Sequence, residues 1–387
     1  MSQSNEHYGN LHKALNKFEL KVPKSKKFTQ LLKRLYTPEE VELLSHFGKP
    51  YSYFESIETT SEKTGKPIED IKKIFDRMIE RGTLFYIKMD NGDRMYSLPP
   101  FIPGFYEYYT MSKNDSLKEK KEILRILDDY FFETFVPETF NATAYPFFRV
   151  LPADEPVRKL IEIDTCVESE TQILPFEVAS EYIKSAEYIA VGNCACREHA
   201  EMQDGKKRCD RPVDVCLVFD KVAEYWAEKG IGRLISHDEA VAVLQRSAEA
   251  GLVHCTTNNQ TFGKNMSGMI CNCCPCCCFI LQGLLKIRVE QSGLAKSNFI
   301  PVFNHDDCTL CMKCVEACPV GALYHHKPHL DDYSDNFIAL NENACIGCGV
   351  CTFACKQDSI RLNKVRNDQP EKTVLHSAKK HDTMRKH

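Results

Sequence analysis

The sequence lacks any apolar stretch long enough to cross a membrane, since no run approaches the roughly 18 residues that a spanning helix needs. Its first residues also lack the apolar core of a signal peptide. An excess of charge of either sign is missing too, because 50 Lys and Arg residues against 54 Asp and Glu residues give a net charge of −4. These absences predict a cytoplasmic protein with no membrane span, and they argue against a uniformly basic nucleic-acid-binding protein.

Nucleotide-binding fingerprints are also absent. Neither GxGxxG nor GxxxxGK[ST] occurs in the chain, so the sequence indicates no flavin or nucleotide site of these types. At 387 residues the chain is nevertheless long enough for several domains with buried cores. We therefore expect a multidomain protein whose chemistry depends on some other group.

Cysteine is missing from the first 165 residues, although the chain holds 20 cysteines in all. In a reducing cytosol so many thiols are not a disulfide framework. They also occur in clumps, whereas a core of small apolar side chains gives no reason to place several cysteines within a few residues. Metal ligation, iron–sulfur ligation or redox-active thiols are therefore the leading interpretations.

The cysteine-free region predicts a small domain of helices followed by a hairpin. Thr37, Pro38 and Glu40 combine an N-cap, a first-turn proline and a capping-box glutamate. The predicted elements are a helix that begins here, helices over 53–62 and 67–81, and strands over 84–89 and 94–98 around an Asn-Gly turn. This order resembles a winged helix-turn-helix, a fold used both for reading DNA and for contacting proteins.

Charge favours protein contact over DNA contact in this region. Helix 67–81 lies where a recognition helix would be, yet its four basic residues are balanced by four acidic ones. Because phosphate neutralisation supplies much of the affinity for DNA, nucleic acid is less favoured than a partner protein or a homodimer. Residues 1–36 carry eight Lys or Arg against Glu6 and Glu19, and we expect them to form a solvated, partly mobile arm with one short helix near 28–36.

A helical connector is predicted between the two halves of the chain. Ser116 and Glu119 form a second capping box, which opens a helix to about residue 135. Aromatic residues are dense between 131 and 148. We expect these rings to pack in the core and to join the domains rather than to bind a cofactor.

Eight cysteines form an internal repeat near the C-terminus. Cys308 to Cys318 reads Cys-x2-Cys-x2-Cys-x3-Cys, and Cys345 to Cys355 repeats the same spacing. Three cysteines on a tight loop can hold three irons of a cubane cluster, and the fourth iron needs a thiolate from another direction. The fourth cysteine of each repeat is therefore expected to bind the cluster of the other repeat. The expected ligands are Cys308, Cys311, Cys314 and Cys355 for cluster one, and Cys345, Cys348, Cys351 and Cys318 for cluster two.

This repeat resembles the bacterial-type 2[4Fe–4S] ferredoxin domain. The resemblance implies two [4Fe–4S] clusters that relay single electrons, with short strands near 321–322 and 360–362. Lys356 departs from the pattern, since many members have proline after the fourth cysteine. That departure puts local turn rigidity in question, but not the ligation.

The central region holds the other twelve cysteines. A further iron–sulfur centre is the favoured interpretation, with a structural zinc site or a metal-free dithiol as alternatives. Cys166 and Cys255 are expected to be ordinary buried thiols. The candidate ligands are Cys194, Cys196, Cys209, Cys216, Cys271, Cys273, Cys274, Cys276, Cys277 and Cys278.

The string NCACR, followed by GLVH and CNCCPCCC, resembles a segment of multidomain iron–sulfur proteins from anaerobic bacteria and archaea. The resemblance implies electron transfer without a settled substrate. His199 and His254 are nearby candidates for ligation or proton transfer, although a lone histidine is more often a packed polar side chain. Arg197 and the basic stretch 206–211 would place positive charge beside the thiolates and raise a reduction potential.

We therefore expect an α+β iron–sulfur protein of anaerobic metabolism that works with a redox partner as an electron carrier, an oxidoreductase or a subunit of one. A redox-responsive winged-helix transcription regulator is the alternative, and a metallocluster assembly factor is a third. The predicted segments are a basic arm (1–36), a winged-helix-like domain (37–110), a helical connector (111–150), an α/β cysteine-rich central domain (151–299), a ferredoxin-like dicluster domain (300–364) and a disordered basic tail (365–387).

Overall fold

The computed structural model combines helices and sheets in several packed regions. The residues that the structure describes are 3–140, 145–153, 155–157, 173, 175–260, 268–287, 294–327 and 336–384. Cys166, predicted to be an ordinary buried thiol, lies outside these ranges. Among the described residues, no helix combines the length and apolar character needed to cross a bilayer.

The N-terminal region contains five helices and a hairpin. Capping determines where several of them begin: Ser25 accepts a hydrogen bond from the backbone of Phe28, and Thr37 and Glu40 form the predicted capping box. Gly82 ends the last helix in the left-handed conformation, with φ of 80°. The elements are α1 (Gln3–Leu15), α2 (Lys26–Leu35), α3 (Pro38–Leu44), α4 (Ile57–Thr64), α5 (Ile68–Arg81), β1 (Phe85–Lys88) and β2 (Arg94–Ser97).

The expectation of a partly mobile basic arm at residues 1–36 is wrong. Leu11 and Leu15 of α1 and Phe28 of α2 are buried in the main core, and the Tyr8 hydroxyl donates to the Tyr36 carbonyl at 2.6 Å. Charge counting misjudged this segment because its lysines line the solvent side of helices whose other side is apolar. The short helix expected near 28–36 is present as α2.

The connector is helical, as predicted, but it ends in a strand. Here α6 (Tyr106–Met111) precedes α7 (Leu117–Tyr130), which starts at the predicted Ser116 and Glu119 capping box. The chain continues in π-helical turns over Phe131–Phe140. Phe131 packs against Phe279 of the central region with ring centroids 4.4 Å apart, which confirms that these aromatics join the two halves.

A mixed seven-stranded sheet forms the central region, with strand order β6-β4-β5-β8-β7-β3-β9. Neighbouring strands are antiparallel except for the parallel pair β3 and β9. The strands are β3 (Phe148–Leu151), β4 (Ile189–Asn193), β5 (Asp214–Phe219), β6 (Gly232–Leu234), β7 (Val253–Thr257), β8 (Met269–Cys273) and β9 (Leu294–Ala295). Because β3 is a strand of this sheet, the predicted connector boundary at residue 150 falls inside the central region.

Five described helices accompany this sheet. Ser236 caps the helix that follows it by accepting from the backbone of Glu239. The helices are α8 (Ala179–Ser185), α9 (Ala195–Asp204), α10 (Asp220–Lys229), α11 (His237–Glu249) and α12 (Phe279–Ile287). The first turn of α9 and the start of α12 lie beside β8, so segments far apart in sequence bring their cysteines to one place.

The C-terminal region repeats one small motif of loop, helix and strand. Its two sheets are antiparallel pairs, β10 with β13 and β11 with β12. The elements are β10 (Phe299–Phe303), α13 (Lys313–Ala317), β11 (Leu323–His326), β12 (Phe337–Leu340), α14 (Val350–Ala354) and β13 (Ile360–Lys364). The strand expected near 360–362 is present, and the one expected at 321–322 begins two residues later.

The expected disordered tail is also wrong over its described part. Arg366 donates to the Ser297 carbonyl at 2.6 Å, and the Glu371 backbone accepts from Gln260 at 2.8 Å. A final helix, α15 (Val374–Thr383), follows. The tail shows little apolar periodicity because backbone and side-chain hydrogen bonds, rather than an apolar stripe, hold its first half against the protein.

A buried ion pair joins the C-terminal and central regions. Lys364 of β13 meets Glu177 at 2.7 Å, with both side chains almost fully buried at 2% and 1% exposure. Asn298 donates to the other carboxylate oxygen of Glu177 at 2.6 Å. A pair of this kind is costly to break from one side, because removing either partner leaves a buried charge without compensation.

Replacing Lys364 by Met should therefore lower the free energy of unfolding by about 3–5 kcal/mol. The double variant Lys364→Met/Glu177→Gln should recover most of that loss, since it removes both charges and keeps the acceptor for Asn298. Chemical unfolding followed by circular dichroism under anaerobic conditions measures the change.

The exposed pair Lys73 and Asp70, 3.5 Å apart at 76% and 57% exposure, provides a matched control. Lys73→Met should change stability by no more than about 0.5 kcal/mol. If Lys364→Met changed stability no more than this control does, the ion pair would not be what couples the two regions.

Candidate functional site: four groups of thiols

The structure brings the expected ligands of cluster one to a single cavity. Cys308, Cys311 and Cys314 line it together with Cys355 from the second copy of the repeat. Its other walls are largely apolar, with Phe303, Ile338 and Ile360 among them. The fourth cysteine that lines this cavity thus comes from the other copy of the repeat.

The expected ligands of cluster two also lie near one another. Burial raises the pKa of Cys345 and Cys351, and the nearby Cys318 thiol raises both further. Burial, followed by Cys318 and Cys345, raises the pKa of Cys348 to about 12. The Ala322 N–H donates to Cys318 Sγ at 3.1 Å, a contact that would stabilise a thiolate.

Both loops adopt the same unusual backbone conformations between their cysteines. Leu310 and Met312 have φ of 53° and 63°, and the equivalent Gly347 and Gly349 have φ of 72° and 77°. A Cβ at Gly347 would lie 2.3 Å from the Phe299 carbonyl oxygen, so only glycine fits there. Non-glycine residues in the left-handed region are uncommon and concentrate at functional sites, which is where Leu310 and Met312 lie.

The ten central candidates separate into two groups. The first, called here the quartet, comprises Cys209, Cys274, Cys276 and Cys277, whose sulfur atoms all lie within 4.8 Å of one another. The Sγ atoms of Cys209 and Cys277 are 4.0 Å apart, and those of Cys276 and Cys277 are 3.7 Å apart. Three of these thiols come from the turn between β8 and α12, and the fourth comes from the loop after α9.

Cations surround the quartet, as the sequence predicted. Arg211 Nη1 is 3.7 Å from Cys276 Sγ, and Arg208 donates to the Cys276 carbonyl at 3.4 Å. The Cys277 thiol, assisted by the Arg197 guanidinium, lowers the pKa of Cys274 to about 4 despite partial burial. The site therefore has a thiolate available at neutral pH, which is the form that binds metals.

The second group, called here the six-thiol cavity, combines two buried and four partly buried cysteines. It comprises six cysteines from four elements: Cys194 and Cys196 at the start of α9, Cys216 on β5, Cys271 and Cys273 on β8, and Cys278 before α12. Apolar and aromatic side chains complete the wall, namely Ile102, Tyr106, Phe148, Phe279 and Ile280. Burial among such groups excludes water and strengthens electrostatic interactions.

Neighbouring thiols in this cavity shift one another's pKa. Hydrogen bonds with Cys216 and Cys273 lower the pKa of Cys271 well below its ordinary value. Cys196 and Cys273 lower the pKa of Cys278 to about 7. Burial raises the pKa of the nearby Glu107 carboxyl to about 8. Neighbouring thiols and burial raise the pKa of the other four thiols well above the ordinary value, so Cys271 and Cys278 are the cavity thiols that ionise most readily.

Arg197 interacts electrostatically with thiols of both the quartet and the six-thiol cavity. Its side chain is buried, and Nη2 donates to the Asn272 carbonyl at 2.9 Å. Burial lowers its pKa, but thiols of both groups outweigh burial and raise it above the ordinary value, Cys194 and Cys273 from the cavity and Cys274 from the quartet. Within the described part of the chain, its Nε and Nη1 have no hydrogen-bond partner. A buried guanidinium whose donors lack partners is compatible with neighbouring thiols that become anionic thiolates.

The two candidate histidines lie outside these thiol groups. His199 Nε2 is 3.1 Å from an Asp128 carboxylate oxygen, and its Nδ1 is 3.3 Å from the Tyr106 hydroxyl. His254 Nδ1 is 2.5 Å from the Asn272 side-chain oxygen. These contacts favour a packing role for both residues.

Sequence reasoning missed the position of Cys255, which was expected to be an ordinary buried thiol. It is fully buried on β7, yet it raises the pKa of Cys273 in the six-thiol cavity. It also contributes, after burial, to the raised pKa of Cys348 in the C-terminal region. No spacing rule could reveal this, because the three residues come from separate parts of the chain that only tertiary packing brings together.

Comparison with known proteins identifies the nature of the C-terminal region. The family described as 4Fe-4S binding domain matches residues 301–324, and this region is a 4Fe–4S ferredoxin-like domain. An uncharacterized ferredoxin of Methanocaldococcus jannaschii is 32% identical over 108 residues, covering 27% of this chain and 55% of that protein. Ferredoxin-1 of Caulobacter vibrioides is 40% identical over 58 residues, covering 14% and 44%.

A component of a larger enzyme is also similar. The B subunit of the anaerobic dimethyl sulfoxide reductase of Escherichia coli is 27% identical over 79 residues, covering 20% of this chain and 35% of that protein. The chain spans about half the length, or less, of these curated relatives. No solved structure matches the chain.

Paired substitutions test the crossed ligand arrangement. The variant Cys308→Ala/Cys355→Ala removes two ligands from one site and should lose about four iron atoms per chain. The variant Cys308→Ala/Cys318→Ala removes one ligand from each site and should lose about eight. Iron and acid-labile sulfide analysis of anaerobically purified protein measures the difference. Equal losses from the two variants, with unchanged circular dichroism, would contradict the crossing.

Proposed function

We propose that this chain is an iron–sulfur electron-transfer protein or oxidoreductase subunit of anaerobic metabolism that works in the cytoplasm. Its C-terminal domain would hold two [4Fe–4S] clusters and pass single electrons to or from a cysteine-ligated centre in the central region. Support comes from the 4Fe–4S binding domain match, from ferredoxin relatives, and from the thiol groups of the structure. The clusters supply the reversible one-electron chemistry, and the chain positions them and tunes their surroundings.

The ligands proposed for the two clusters follow the spacing of the repeat and, for cluster one, the cavity that its four cysteines line. Cys308, Cys311, Cys314 and Cys355 would hold cluster one, and Cys345, Cys348, Cys351 and Cys318 would hold cluster two. At cluster one, burial raises the pKa of Cys355, but hydrogen bonds from the Ser359 hydroxyl and from backbone N–H groups outweigh it and lower the pKa overall. Such bonds favour a charged sulfur and influence the reduction potential.

One observation carries this proposal: the partly buried Cys348 of cluster two packs against the same core that contains Cys255 and Cys273. Cys255 contributes, after burial, to the raised pKa of Cys348. It also raises the pKa of Cys273 in the six-thiol cavity. The Cys348 carbonyl also accepts from the Ala153 N–H at 3.1 Å, which fixes the cluster-two loop to the end of β3. Cluster two would therefore face the central centre.

Cluster one would face the redox partner. Cys311 is exposed, unlike the buried Cys345 and Cys351, so the loop of cluster one is the more accessible of the two. Electron exchange between proteins requires a close approach of the donor and acceptor centres. We therefore assign partner docking to the surface around Cys311 and the internal exchange to cluster two.

For residues 37–110 we retain the winged-helix-like assignment as a proposal and assign this domain to protein contact. Its hairpin is already in contact with the central region, since Tyr86 and Lys88 both reach Glu228 of α10. The Tyr225 hydroxyl also donates to the Leu84 carbonyl at 3.1 Å. Because these contacts hold the hairpin against α10, it is less available to contact a DNA backbone. This favours docking or dimerisation over the transcription-regulator alternative.

Removing cluster two should isolate the central centre from a protein electron donor. In the variant Cys345→Ala/Cys351→Ala, a reduced ferredoxin should no longer reduce the central centre, because the donor reaches it only through the C-terminal clusters. Freeze-quench EPR and stopped-flow absorbance would follow the reduction of each centre in wild type and variant.

Dithionite provides the control, since so small a reductant should reduce the central centre in both proteins. If the reduced ferredoxin reduced the central centre equally fast with and without cluster two, the proposed route would be wrong. Release of iron to an acceptor apoprotein, without reversible reduction, would instead indicate a cluster assembly factor.

A further inference from the structure

We propose that the central thiols form two metal sites of different chemistry: the quartet binds a single metal ion, and the six-thiol cavity holds an iron–sulfur cluster. The second part deepens the proposed function, since this cluster would be the central centre of the electron route. The first part is independent of that function. The ion is of the class that four thiolates bind tetrahedrally, zinc or mononuclear iron.

The spacing of the quartet fits a single ion. A zinc–sulfur bond of about 2.3 Å in a tetrahedron places neighbouring sulfurs about 3.8 Å apart. The sulfur of Cys277 lies 3.7 Å from that of Cys276 and 4.0 Å from that of Cys209. A cubane would insert a core of four irons and four sulfides between the thiolates, which requires a wider separation of the cysteine sulfurs than the quartet has.

The six-thiol cavity differs from the quartet in the number and origin of its thiols. Its thiols arrive from four elements and line one enclosed space rather than a single turn. A polynuclear cluster needs ligands from several directions around a core, and it needs shielding from water and oxygen. Tyr106 and Phe279, with ring centroids 4.9 Å apart, form part of that shield.

The position of Arg197 supports two sites rather than one. Its exposure is 4%, and two of its donor atoms, Nε and Nη1, have no partner among the described residues. Its Nη2 donates at 2.9 Å to the carbonyl of Asn272, which precedes Cys273 of the cavity and Cys274 of the quartet in the chain. A metal ion with four thiolates and a thiolate-ligated cluster are both anionic, so a shared guanidinium would offset the repulsion between them.

The composition of each site can be tested by metal and sulfide analysis of the anaerobically purified full chain. In Cys276→Ala/Cys277→Ala we expect the loss of about one zinc or iron per chain and no loss of acid-labile sulfide. In Cys196→Ala/Cys216→Ala we expect iron and sulfide to fall together while the single ion remains. The EPR signals of the C-terminal clusters report in both variants that the chain is folded.

A conservative variant separates ligation from packing. Cys276→His should retain the single ion, because sites with three cysteines and one histidine bind zinc well. Loss of sulfide from the quartet variant, or retention of all iron and sulfide in the cavity variant, would overturn the proposal. The metal and sulfide contents do not depend on electron transfer. If they agreed with these expectations but the central centre were not reduced through cluster two, the proposed function would be rejected while this inference would still hold.

Discussion

Thiolates crowded in a buried site repel one another, and the arrangement of this protein depends on the groups that offset that repulsion. The buried Arg197 has two donor atoms without a partner among the described residues, and Arg211 lies 3.7 Å from a sulfur of the quartet. In the C-terminal region, backbone N–H groups perform the same role, as at Cys318. These cations and N–H groups thus lie where the negative charge of metal-bound thiolates would need to be offset.

Packing brings thiols from separate parts of the chain near one another. The seven-stranded sheet holds β5, β8 and β7 side by side, which places Cys216, Cys271 and Cys255 on adjacent strands. The buried pair of Lys364 and Glu177 joins the C-terminal domain to the central region. A fixed distance matters for electron transfer, because a mobile linker between centres would let the separation vary.

Local patterns predicted much of the fold, but tertiary contacts decided the site. Capping boxes at Thr37 and Ser116 and the eight-cysteine repeat act over a few residues, so spacing alone revealed them. The division of the central cysteines had no such signal: Cys273 and Cys274 are adjacent in sequence, yet they face the six-thiol cavity and the quartet respectively. Successive residues of a strand or turn point to opposite sides, and only the folded sheet shows what lies on each side. The ordered N-terminal arm and C-terminal tail were misjudged because net charge does not reveal packing partners.

The most direct test of the central claim is low-temperature EPR of the full chain during stepwise anaerobic reduction. If the C-terminal clusters and a central cluster form one electron route, reduction should produce three spin systems, with cluster two coupled magnetically to its neighbours on both sides. The account would be contradicted if reduction produced only two spin systems and both disappeared when the cysteines of the C-terminal repeat were substituted. That result would show that the central thiols hold no redox-active cluster.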